Sequence, residues 1–180
     1  RKERRRNGEV MRRVPGMAGP VAKTTDRLTA LGVDGGCTYT HTPDDGDRIK
    51  ELGPSGVNVY FDNVGGAISD AVLCHLALHA RVSICGQISR YNLEKPETGP
   101  RFLPLLIVYR AKVEGFLISD YAPRFGEGLA QLTAWFKEGK LTYEETIAEG
   151  LDNAPRAFIA MLPGKNTGKQ VVKVSTPRLC

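Results

Sequence analysis

Apolar positions along the chain follow two periods. Val57 to Phe61 (VNVYF) is β-branched and aromatic, which predicts a strand. Ala67 to Leu78 sets Ile68, Ala71, Val72, Leu73 and Leu76 at helical spacing. Arg81 to Cys85 (RVSIC) reads as the next strand, and Gly86 follows it at once. Pro100 to Tyr109 holds a short apolar helix, and Lys112 to Ser119 (KVEGFLIS) a strand with Gly115 inside it. Phe125 to Glu138 is an amphipathic helix with Leu129, Leu132, Trp135 and Phe136 on its inward face and Gly139 as its stop. Ala154 to Leu162 is a further helix, with Asn153 as N-cap and Pro155 in its first turn, and Gln170 to Ser175 is a last strand. Earlier in the chain the pattern is thinner. Asp26 to Leu31 ends a helix at Gly32, Cys37 to Thr40 is a short strand, Asp44 to Leu52 is a polar helix, and GPSG at 53–56 is a turn. Strands alternating with helices, joined by crossovers long enough for parallel pairing, define an α/β fold: a three-layer parallel sheet.

In open parallel sheets, ligands lie beyond the carboxyl ends of the strands. YFDNVGG (60–66) lies at one such end, CGQISRY (85–91) at the next, and GFLIS (115–119) leads toward the same edge. The first two exits open into loops of Gly, Asn, Ser and Tyr, where a flat, polyhydroxylated, charged ligand has room along the backbone. Each piece has a plainer reading: Gly-Gly after a strand is an ordinary turn, and Asp62 or Asn63 is an ordinary cap for the helix at 67. The combination of three exits favours a site.

Charge adds little. Residues 1–13 hold seven Lys/Arg against two Asp/Glu, which accounts for the whole net charge of +5. The basic character thus belongs to a tail, 1–22, read as a disordered or aberrant terminus and not as a nucleic-acid face. Glu3, Glu9 and the scarcity of Ser fit a transit peptide poorly. The chain begins at Arg1, as a fragment, a processed product or a faulty gene model would. No apolar run approaches the roughly eighteen residues of a membrane span. Cys37, Cys74, Cys85 and Cys180 form no CxxC pair and have no His at metal-ligand spacing, so free thiols, a reducing cytoplasmic compartment and no metal are expected. Cys74 and Cys85 read as small core residues.

VYFDNVGG, CGQISRYN, GFLISDY, WFKEGKL and EGLDNAPRAFIAMLPGKNTGKQVVKV occur in this order. Together they resemble the C-terminal half of the zinc-independent medium-chain dehydrogenase/reductases, in the prostaglandin reductase, leukotriene hydroxydehydrogenase and curcumin reductase group. The resemblance covers residues 24–175. It implies a Rossmann-like dinucleotide-binding domain over 23–140, apparently truncated on its N-terminal side, and a segment, 141–180, that returns to a catalytic domain absent from this sequence. It implies NADPH as cofactor and hydride transfer to the β-carbon of an α,β-unsaturated ketone or aldehyde. Carried over by position, Asn63 approaches the cofactor. Cys85, Gly86, Gln87, Ile88, Ser89 and Tyr91 fall on the segment beside the nicotinamide and ribose, and Phe116, Leu117 and Ile118 flank the nicotinamide. Asn166 falls on the late Asn of GKNTGK, and Tyr39 on a Tyr near the adenosine, although Thr38 precedes it.

The departures lie upstream. The phosphate loop of such a domain follows a first strand and opens a helix. GMAGPVA at 16–22 resembles a piece of that loop, but no strand is read before it, and the second strand before the helix at 26–31 is missing too. A basic residue expected for the 2′-phosphate aligns with Thr24, and Lys23, one residue away, stands in for it.

The resemblance implies chemistry carried by the cofactor and positioned by the protein. Charge develops on the enone oxygen, so a donor there accelerates the step. Tyr91 is the candidate, directly or through the ribose hydroxyl; a loop tyrosine packing its ring is the equal alternative. His41, His75 and His79 are poor catalytic candidates, the last two sharing a helix face. The edge strand at 112–119 implies a homodimer by resemblance. The competing reading is a non-catalytic truncated module that dimerises and binds nucleotide weakly or not at all.

Overall fold

The computed structural model describes residues 15–18, 34–38 and 45–175. Strands β1 (Pro15–Ala18) and β2 (Gly35–Thr38) pair in parallel as one small sheet. Helix α1 (Asp45–Leu52) leads to β3 (Val57–Asp62), α2 (Ala67–Leu73) and β4 (Leu76–Ile84), and α3 (Leu103–Tyr109) leads to β5 (Lys112–Gly115). The central sheet runs β3-β4-β5, parallel throughout. A 3₁₀ turn at Ile118–Arg124 precedes α4 (Phe125–Lys137), and β6 (Glu145–Glu149) and β7 (Lys169–Lys173) form a second parallel pair around α5 (Ala154–Met161).

The register explains which face of the central sheet is covered. Tyr60, Val82 and Val113 lie side by side across it, as do Phe61, Ser83 and Glu114 on the opposite face. The first row is apolar and packs beneath α2 and α3 through Leu73, Leu106 and Tyr109. Ile49 of α1 joins Ile68 and Val72 of α2 in an adjoining cluster. Burying such side chains contributes about 1.5–3 kcal/mol each. The other face carries exposed Val59 and Phe61.

The parallel, Rossmann-like α/β sheet is present. In the doubly wound order 3-2-1-4-5-6, β1 and β2 suit places 2 and 3, and β3, β4 and β5 suit places 4, 5 and 6. Among the described residues no strand fills place 1, and the two sheets remain separate. Gly16 therefore sits inside strand β1, not in a phosphate loop as its glycine spacing implied. Lys23, Thr24, Tyr39, His41, Cys180, residues 1–14 and 19–22 of the tail, and the helix at 26–31 lie outside the described residues; residues 15–18 of that tail, expected to be disordered, form strand β1 through their pairing with β2.

Several other expectations shift. The helix at 67 ends at Leu73 instead of Leu78, because the chain is captured into the sheet: His75 turns back on Val72, and the Val57 N–H donates to the His75 carbonyl at 2.8 Å. Between paired rows β3 advances from Val57 to Val59 while β4 advances from Leu76 to Arg81. His79 takes up the excess at a φ of 62°. His75 and His79 thus share no helix face, and Cys74 is exposed. The strand expected over 112–119 stops at Gly115, and the described part of that expected over 37–40 belongs to β2, which begins two residues earlier at Gly35. β6 was unread in the sequence. The face of α4 expected inward is open: Leu129, Leu132, Trp135 and Phe136 are exposed. Asn153 precedes α5, yet its amide donates to the Glu149 carbonyl and caps nothing.

Candidate functional site

The site begins where β3 stops. Asp62, the last residue of the strand, is 1% exposed, and its neighbour Asn63 is on the surface. Asp62 Oδ1 accepts the N–H groups of Val64 (2.9 Å) and Gly65 (3.0 Å), which bends the chain sharply. Gly65 and Gly66 follow at φ of 73° and 66°, a region where a Cβ is costly. The Asp62 carboxylate thus shapes the turn, and α2 begins without a side-chain cap. That corrects the expectation that Asp62 or Asn63 caps the helix.

The second exit is laced to the first. Cys85 N–H donates to the Asp62 carbonyl at 2.7 Å and Gly86 N–H to the same oxygen at 3.2 Å. Ser89 donates its N–H (3.0 Å) and its hydroxyl (2.7 Å) to the Val64 carbonyl. Gln87 Nε2 donates to Asp62 Oδ2 at 3.0 Å, while the Gln87 N–H donates to Tyr91 Oη at 2.9 Å. A Cβ on Gly86 would stand 2.5 Å from Asn63 Oδ1 and 3.1 Å from Tyr91 Oη, so both polar groups close over a stretch of bare main chain.

The third exit adjoins the second. Phe116 N–H donates to the Ile84 carbonyl at 3.2 Å, and the Phe116 ring lies 6.2 Å from Phe61 and 5.8 Å, edge-on, from Tyr121. Asn63, Cys85, Gly86, Gln87, Ser89, Tyr91 and Phe116 are therefore gathered at consecutive strand ends of one sheet edge. Leu117 and Ile118 follow as exposed apolar residues, and Ile88 N–H reaches the Asn63 carbonyl at 3.4 Å. Asn166 is placed differently: it precedes β7, and its amide donates to the Gly168 carbonyl within its own loop.

The family model described as zinc-binding dehydrogenase matches residues 31–172. The chain belongs to the zinc-binding dehydrogenase family. It is 40% identical over 168 residues to the NADPH-dependent curcumin reductase of Escherichia coli, covering 91% of this chain and 48% of that protein. It is 40% identical over 162 residues to the NADP(+)-dependent 2-alkenal reductase of Nicotiana tabacum, covering 90% of this chain and 47% of that one. Among solved structures, CurA of Vibrio vulnificus in complex with NADPH superposes with a TM-score of 0.82 at 38% identity, over 92% of this chain and 50% of that chain. The chain spans about half the length of the curated relatives it matches.

Among the described residues, no three His, Cys, Asp or Glu side chains are grouped as metal ligands. The polar groups at the second exit suit a dinucleotide: the Asn63 amide oxygen and the Tyr91 hydroxyl meet over Gly86, in the space that a Cβ would otherwise take. Sequence reasoning missed the part played by Asp62. Its signal was available: an acid directly after a strand, with glycines three and four positions later, is the signature of a side-chain-capped turn. Asp70 adjoins the same loops in α2. Burial pushes its carboxyl above the ordinary value, with Arg90 opposing and Glu97 reinforcing the shift.

Proposed function

We propose that this chain is the cofactor-binding part of an NADPH-dependent reductase of the carbon–carbon double bond of α,β-unsaturated ketones or aldehydes. The observation that carries the reading is the convergence of Asn63, Gly86 and Tyr91 at adjoining strand exits. The NADPH, curcumin and 2-alkenal named for the relatives support it. When bound, NADPH supplies the hydride. Gly86 lets the Asn63 amide and the Tyr91 hydroxyl close on the backbone, where they would meet the ring and ribose. Tyr91 Oη, already accepting the Gln87 N–H, keeps its own proton to donate toward the enone oxygen or a ribose hydroxyl. The Phe61, Phe116 and Tyr121 rings supply an apolar wall beside the third exit. Lys23 and Tyr39 are proposed for the adenosine side and Asn166 for a later contact.

The reading carries further expectations: turnover without zinc, a cytoplasmic location, a homodimer through the free edge of β5, and a segment, 141–180, that packs on a catalytic domain. No helix among the described residues is long and apolar enough to cross a membrane.

The test is thermal unfolding with and without nucleotide. NADPH at a hundred times its dissociation constant stabilises by about 2.7 kcal/mol, and NADPH oxidation should then follow addition of a 2-alkenal. Absence of any shift at millimolar NADPH would overturn the proposal in favour of a non-catalytic module. Light scattering at a monomer mass would remove the dimer.

A further inference from the structure

Asp62 is the most buried charged side chain among the described residues, and it cannot itself reach a ligand: it is 1% exposed. Its side-chain hydrogen bonds run to both exit loops and to α2. Oδ1 accepts the Val64 and Gly65 N–H groups of the first exit loop. Oδ2 accepts the Gln87 amide of the second exit loop, 25 residues away, at 3.0 Å, and the Ser69 hydroxyl of α2 at 2.6 Å. Ser69 Oγ in turn lies 3.3 Å from Tyr60 Oη on the covered face of the sheet. The main-chain oxygen of the same residue accepts the Cys85 and Gly86 N–H groups.

A buried acid usually costs stability unless several donors meet it. Here four side-chain and backbone donors do so, and they come from three separate segments. An apolar residue of similar size at this strand end would leave the Val64 and Gly65 N–H groups, the Ser69 hydroxyl and the Gln87 amide without their acceptor. What a carboxylate adds is orientation: two acceptor oxygens held by one rigid strand terminus, one per exit loop.

Resting on the reductase reading above, we infer that Asp62 is a positioning residue that sets the spacing of the two exit loops, and through Gln87 the pose of Tyr91 and the opening over Gly86. The link is directional. The Gln87 side chain is held by Asp62, and the Gln87 N–H is the donor that orients the Tyr91 hydroxyl. Loosening the first bond releases the second.

The polarity of the Asp62–Gln87 bond allows a swap. Asp62→Asn keeps an oxygen for the turn but removes the charge and puts an amide nitrogen in place of Oδ2, so the Gln87 side chain keeps a partner only by turning its amide over to accept through Oε1. Gln87→Glu alone sets two carboxylates face to face. The double variant restores one donor and one acceptor with the roles exchanged. The experiment measures the NADPH dissociation constant of the four proteins and amide hydrogen exchange over residues 85–91 without nucleotide. Each single variant should weaken NADPH binding about tenfold, as expected for one charge-assisted hydrogen bond, and the double variant should recover most of it. Exchange over 85–91 should quicken in both single variants and slow again in the double, with α3 unchanged throughout. If exchange over 85–91 is the same in all four proteins, or if the double variant is as loose as its worse parent, the inference is overturned, whether or not NADPH binds. If the exchange pattern appears but the unaltered chain binds no NADPH, the positioning role stands and the reductase reading fails.

Discussion

Tyr91 Oη lies 2.9 Å from the backbone nitrogen of Gln87 and accepts its N–H. A phenol that accepts from the main chain has a fixed oxygen and a free proton. Tyr91→Phe should therefore lower kcat for 2-alkenal reduction by about a hundredfold, the scale of one lost oxyanion donor, with little change in the KM for NADPH. Steady-state NADPH oxidation reads both constants. A variant with unchanged kcat would assign the ring a packing role only.

Gly86 tests the cradle. An alanine methyl there meets Asn63 Oδ1 at 2.5 Å and Tyr91 Oη at 3.1 Å. Both are ends of side chains near the surface, so the fold yields cheaply. Gly86→Ala should alter unfolding stability by less than about 1 kcal/mol while weakening NADPH binding by about tenfold or more. Denaturant unfolding and nucleotide titration separate the two effects.

Ile68 tests the support beneath the site. It is 2% exposed and packs with Ile49 and Val72, tying α2 to α1. Ile68→Ala should cost about 2–5 kcal/mol, read as a lower urea midpoint at unchanged slope.

Asp70 gives the pH dependence. Its folded-state carboxyl titrates above the ordinary 3.8, chiefly through burial. A raised acid favours the protonated form on folding, so its contribution is fully present below pH 3.8 and is lost as pH rises through the folded value. Asp70→Asn, which stays neutral, should gain in stability relative to the unaltered chain as pH rises from 3 to 7. Unfolding midpoints of both proteins at several pH values supply the check. A difference constant with pH would contradict the burial account.

Long, strongly periodic segments were legible in the sequence. α4 was read to within a residue of its end because its apolar spacing and Gly139 agree. Its surroundings were not legible, since amphipathicity says that a face wants cover and not that cover is present. AVLCHLALHA was misread because an apolar run satisfies both periods. The choice between helix and strand was made by the Val57–His75 hydrogen bond, a contact across sequence. β1 was missed because Pro15 and Gly16 speak against a strand, and pairing with β2 overrides them. At the site, glycines and strand exits were visible from residue type alone. The convergence on Asp62 was not, because Ser69 and Gln87 reach it from other segments.

The central sheet ends in two different borders, β3 on one side and β5 on the other. Two copies meeting β5 to β5 run antiparallel about a two-fold axis and stop there. A copy offering β5 to the β3 of the next would continue the same parallel order and leave fresh borders at both ends, so growth has no natural limit. Whichever element occupies the flank of β3 thus decides more than catalysis: it separates a closed pair from an endless ribbon.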